Sequence, residues 1–156
     1  MEYRPLSPRR PLEVRELYTV HYFEYSGSYA FSGERHDFWE LLYVDKGMVS
    51  VTAGERSQQL SQGQIIFHAP GEFHALSALG VAPDLVVVSF RCDSPEMAFF
   101  RGLVSSLLQE ERVLLARIVS ESAAAFSNHR NRPAPAARPR RDAAPDGGEH
   151  HLPPPH

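Results

Sequence analysis

The chain has 156 residues, 42% hydrophobic and 22% charged, the usage of a soluble globular protein with room for one ordinary domain and an appendage. A formal charge of −3 argues against a dedicated nucleic-acid binder, and the single cysteine, Cys92, excludes a disulfide framework and any multi-cysteine zinc site. No apolar run approaches the roughly 18 residues that span a bilayer, and Met1 to Arg15, rich in Pro, Arg and Glu, lacks the apolar stretch of a signal peptide. The expected address is the cytoplasm, whose reducing conditions suit a lone thiol.

Composition changes near position 127. Residues 1–126 hold all 16 aromatics and carry 11 basic against 16 acidic side chains; residues 127–156 hold 7 of the 13 prolines and one large aliphatic, Leu152. Three segments follow: an extended lead-in over 1–16 with Pro5, Pro8 and Pro11, a folding unit over 17–126, and a Pro/Ala/Arg-rich tail over 127–156. The tail lacks the apolar residues that offset the entropy of ordering, so it is expected to be disordered. Its arginines (Arg130, Arg132, Arg138, Arg140, Arg141) and its histidines (His150, His151, His156) read as solvated side chains of a linker.

From Leu17 to Tyr25 the text is β-branched and aromatic, ending at Ser26-Gly27-Ser28. His36 to Val44 is a second such run, halted at Asp45-Lys46-Gly47, where glycine supplies a positive φ. Met48 to Ala53 alternates and turns at Gly54-Glu55 into Arg56–Leu60. Ile65–Phe67, Phe73–Ala78 and Leu85–Phe90 complete the set, with Pro70-Gly71-Glu72 as a further turn. Short strands at this spacing predict an all-β barrel or sandwich. Two helices are expected after it. Ser94-Pro95-Glu96 offers a cap, a first-position proline and an acid for a short one. Gln109 to Phe126 carries the stripe Leu115, Ile118, Val119 and Phe126, which either packs on the barrel or meets a partner.

The chemistry is concentrated in Gly33–Gly47 and Gly63–His74. In an extended strand Glu34, His36, Phe38 and Glu40 share one face, so a histidine and two carboxylates would converge inside the barrel. Unpaired burial costs roughly 1–3 kcal/mol per polar group, so these side chains need partners or a ligand. His74 follows the Pro70-Gly71 turn and brings a second imidazole.

At these residues the sequence resembles the cupin superfamily. His36, Glu40 and Gly47 match the second histidine, the glutamate and the glycine of its first motif, with Glu34 standing where the first histidine would be. Gly63, Pro70 and His74 match the second motif. More narrowly, Leu41-Leu-Tyr-Val-Asp-Lys-Gly47, Gly63-Gln-Ile-Ile-Phe67 and Pro70-Gly-Glu-Phe-His74 are similar to the amino-terminal sensory domain of AraC-type transcription regulators over residues 17–126. The resemblance implies a cupin-like double-stranded β-helix, or jelly-roll, binding a small effector, with helices that contribute to dimerisation. It also implies a following DNA reader of two helix-turn-helix units, which the 30 residues after Phe126 do not encode. The expected partners are therefore a small effector, sugar-like in one reading, and a second copy through residues 109–126, with no specific DNA and no membrane. A reader domain lost, or shifted to another frame, is the expectation for the tail.

The expected ligand-binding set is Glu34, His36, Phe38, Glu40 and His74, with no catalytic residue and no cofactor. Because Glu34 replaces an imidazole, no tightly held metal is expected; His36, Glu40 and His74 would be the ligands if one binds. Trp39 and Tyr43 fall on the opposite face and are expected to pack towards the helices. His68 shares the parity of Ile66 and reads as a core histidine, while Tyr22, Tyr25 and Arg35 are open candidates for bonding an effector. The competing readings are a stand-alone metal-dependent cupin enzyme, of sugar isomerase or dioxygenase type, and a truncated product without activity of its own.

Overall fold

The computed structural model describes Tyr3 and residues 12–128. Nine strands, β1 (Val14–Glu24), β2 (Ala30–Glu34), β3 (Trp39–Lys46), β4 (Met48–Ala53), β5 (Arg56–Ser61), β6 (Gln64–His68), β7 (His74–Ala78), β8 (Asp84–Cys92) and β9 (Val104–Ser106), are followed by one α-helix, α1 (Gln109–Asn128). They form two antiparallel sheets, ordered β1-β8-β3-β6-β9 and β2-β7-β4-β5. This is the jelly-roll arrangement expected of the sequence. The tail beyond Asn128 and most of the lead-in lie outside the described residues.

Strand parity sets two cores. Leu42 and Val44 of β3, Ile66 of β6, Leu85 and Val87 of β8, and Val49 and Val51 of β4 face inward, where they meet Phe23, Tyr25, Tyr29 and Phe31. Each large apolar side chain buried there contributes about 1.5–3 kcal/mol. The alternate residues Trp39, Tyr43, Val86, Val88 and Phe90 face the other way and are covered by Met97 and Leu115. Trp39 and Tyr43 therefore pack towards the helical region, as parity predicted.

Four details differ from the expectation. The first strand starts at Val14, because Val14 and Glu16 find partners in Cys92 and Arg91. The short β2 escaped the sequence reading because Ser32 and Gly33 interrupt its pattern; it exists by pairing with β7. The short helix is a 3₁₀ segment, Pro95–Phe100, without a side-chain cap; the Ser94 hydroxyl instead accepts from the Glu13 amide at 3.0 Å. Finally, β9 lies between the two helical pieces, its three residues paired to the edge of β6.

α1 packs against β1 with Leu115 and Ser122 buried. The proposed association stripe is thus divided: Leu115 and Val119 belong to the outer core, while Ile118 is exposed beside Leu114 and Val113. The side chain of Phe126 lies outside the described residues.

Candidate functional site

Glu34 to Glu40 is not one strand. Glu34 closes β2, residues 35–38 carry the chain from one sheet to the other, and Glu40 is the second residue of β3. The expected convergence is produced by a crossing between sheets rather than by alternation along one of them. Gly33 makes the corner: its φ is +120°, and a Cβ there would stand 2.2 Å from Cζ of Phe73. The positive φ favours glycine there, and any Cβ would also displace the ring. The Gly71 amide donates to the His36 carbonyl at 2.7 Å and holds the crossing against the Pro70 turn.

Register completes the site. Glu34 stands opposite His74 across β2 and β7, while Glu40 stands opposite His68 on β6 and Ser89 on β8. One sheet contributes Glu34 and His74, the other contributes Glu40, and the crossing contributes His36.

His74 Nε2 lies 3.1 Å from Glu40 Oε2 and 3.5 Å from Glu34 Oε1. His36 Nε2 lies 3.6 Å from Glu40 Oε1 and 3.8 Å from Glu34 Oε1. Three of these side chains are enclosed, 4% exposed for His36, 3% for Glu40 and 2% for His74, and Glu34 is partly buried at 17%. Even so, His36 Nε2, His74 Nε2, Glu34 Oε1 and Glu40 Oε2 make no hydrogen bond of acceptable geometry. The atoms are close but not aimed at one another.

Both imidazoles are oriented from behind. His36 Nδ1 donates to the Phe38 carbonyl at 2.9 Å and His74 Nδ1 to the Glu72 carbonyl at 3.2 Å. A carbonyl can only accept, so each Nδ1 carries the proton and each Nε2 is turned inward. Burial pushes the Glu40 carboxyl up, but the facing imidazoles outweigh it and hold it down at about 2. Burial pushes His74 down, but Glu34, Glu40 and the Glu72 carbonyl hold it up at about 10.

Phe38 belongs to the site as a wall. Its ring stacks on His36 at 4.0 Å with 7° between planes and meets Tyr18 of β1 at 4.5 Å. His68 is the core histidine its parity suggested, stacked on His74 at 4.5 Å, with Nδ1 3.7 Å from Glu72 Oε1. Burial lowers its pKa more than Glu72 raises it. Of the three open candidates, Tyr22 bonds Asp45 from the outer face and Arg35 lies over the Phe73 ring, so neither reaches the interior. Tyr25 does reach it, stacked at 3.8 Å on Tyr29, which the sequence reading missed. Both hydroxyls are buried without a hydrogen bond, and burial drives both pKa values up. Ser89 was missed as well; its hydroxyl donates to Glu40 Oε1 at 3.4 Å.

Two imidazoles and two carboxylates suit a divalent transition ion. Their four donor atoms lie within 4.8 Å of one another. Donors about 2.0–2.2 Å from a tetrahedral zinc sit about 3.4 Å apart. The imidazole–carboxylate separations, measured to both oxygens of Glu40, run from 3.1 to 3.8 Å, so the set must draw in somewhat to close on an ion. An Nδ1–H held by a carbonyl is also the usual outer support of a metal-ligating histidine. The residues fit a metal, with Glu34 as a fourth donor beside the expected three. Bound there, such an ion would supply Lewis acidity and a fixed positive charge.

A jelly-roll closed around an inward-facing histidine–carboxylate cluster defines a cupin-type domain. The model of the AraC-like ligand binding domain matches residues 16–121, and the chain belongs to that family. No curated protein matches it. Among solved structures it is similar to ToxT from Vibrio cholerae, with 12% identity, a TM-score of 0.50, and 67% of this chain and 48% of that one covered. A cupin superfamily protein from Desulfitobacterium hafniense gives 14% identity, a TM-score of 0.42 and coverage of 58% and 99%. A predicted oxalate decarboxylase from Thermotoga maritima gives 14%, 0.46, 48% and 67%. Among the described residues no helix is long and apolar enough to cross a membrane.

Proposed function

We propose that this domain is a non-enzymatic sensory module that binds a small effector between its two sheets and associates through α1. The family match supplies the class, and one observation carries the reading further: buried, unpaired polar atoms gather at one interior site that joins both sheets. At roughly 1–3 kcal/mol for each unpaired group, such a cluster is retained for a ligand rather than for stability. The interior offers carboxylate acceptors with imidazole and phenol donors, the complement of a neutral polyhydroxy compound. Calorimetry with a panel of neutral monosaccharides tests this. Saturable binding lost in His36→Ala and His74→Ala supports the reading; a panel without binding counts against a sugar-like effector.

Association is proposed through the exposed Leu114 and Ile118, not through Leu115. A metal-dependent enzyme is the second reading, favoured by the metal-competent donor set. Turnover of a small sugar or an oxidisable substrate that requires added metal would establish it.

A further inference from the structure

The geometry points to a divalent transition ion as the signal itself: bound by Glu34, His36, Glu40 and His74, it is the ligand this domain senses. The inference rests on the effector-binding reading and names the ligand of that site. Charge is the first reason. Two carboxylates neutralise a divalent ion, so no net charge remains where Glu40 and His74 are almost wholly enclosed. Glu34 is what achieves this, since an imidazole in its place would leave one positive charge uncompensated. Closure is the second reason. Four protein donors complete the usual coordination of zinc, the pattern of closed sites rather than of catalytic ones.

The third reason is where the donors sit. Three stand at strand ends, Glu34 on β2, His74 on β7 and Glu40 near the start of β3, but His36 stands on the crossing between sheets. An ion fixes that crossing by joining it to both sheets. Behind His36 the stack runs to Phe38 and then to Tyr18 on β1, the strand against which α1 packs. The stack from His36 thus reaches β1, whose nearby Val20 and Tyr22 pack in the cluster that holds Leu115 and Val119 of α1.

The test uses full-length protein treated with chelator and titrated with zinc sulfate, read by calorimetry and by amide hydrogen exchange along α1. One zinc per chain is expected, with exchange in α1 changed severalfold. Glu34→Gln, checked by circular dichroism, should weaken zinc at least tenfold. Tyr18→Leu should bind zinc as the parent does and lose the α1 response. Absence of zinc binding, undiminished binding by Glu34→Gln, or bound zinc with α1 exchange unchanged would each overturn the inference. Monosaccharide binding to the metal-free protein, without zinc binding, would overturn it and leave the effector-binding reading standing. Binding of neither would count against both.

Discussion

Glu40 and His74 set the pH response of the metal-free domain. The Glu40 carboxyl is held at about 2 against an ordinary 4.5, so its contribution to stability is present above 4.5 and lost as pH falls towards 2. His74 is held at about 10 against 6.5, so its contribution is full below 6.5 and lost as pH rises through 10. Both contributions are complete between pH 4.5 and 6.5. Buried His68, its pKa lowered by desolvation, gives up stability as pH falls below 6.5. Chelator-treated protein should therefore resist urea best near the upper end of that window. Urea midpoints across pH 3–10 provide the check. His74→Ala should flatten the alkaline limb, and an unchanged limb would refute the assignment. His36, Glu40 and His74 were legible in the sequence because motif spacing and strand parity are local properties. Ser89 was not, because its contact with Glu40 spans 49 residues and exists only through β3–β8 pairing.

Two elements carry separate predictions. The crossing after β2 depends on Gly33, whose φ of +120° and contact with the Phe73 ring disfavour a side chain. Gly33→Ala should cost more than about 1 kcal/mol from the backbone alone, with a further loss from the ring. Adding Phe73→Ala should recover only the steric part, measurable by denaturant titration. α1 gives the second prediction. Leu115 is 6% exposed and Ile118 is 42% exposed, so Leu115→Glu should unfold the outer core, whereas Ile118→Glu should leave the fold intact. Light scattering at tens of micromolar should then show the parent as a dimer and Ile118→Glu as a monomer. A dimer that survives both Leu114→Glu and Ile118→Glu would place association elsewhere. The helix was legible from its periodicity, but the face it buries was not. Leu114, Leu115 and Ile118 all satisfy an apolar stripe, and only contact with β1 and the outer core selects Leu115.

For the molecule as a whole, charge decides the expectation about DNA. Residues 1–126 combine 11 basic with 16 acidic side chains, which repels phosphate at long range, and five tail arginines among three acids offset this only weakly. A salt-titrated binding assay on the DNA flanking the gene should show weak retention that is independent of sequence and vanishes at moderate salt. Sequence-specific retention that persists there would contradict the expectation that these residues bind no specific DNA.

The sequence by itself determined the alternation that sends Leu42, Val44 and Glu40 inward and Trp39 and Tyr43 outward. It also determined the positive-φ turn at Gly47 and the short strands that make a two-sheet barrel. Each is fixed by neighbours a few residues apart, through side-chain alternation and backbone sterics. Tertiary structure alone decided the rest. Glu34 shares a face with His36 because the chain changes sheets between them, and it faces His74 because β2 finds β7, 40 residues downstream. The strand Val104–Ser106 forms only because the edge of β6 is free to receive it. Pairing partners and register are set by which distant segments bury the most apolar surface together, and that competition leaves no periodic trace in the residues taking part.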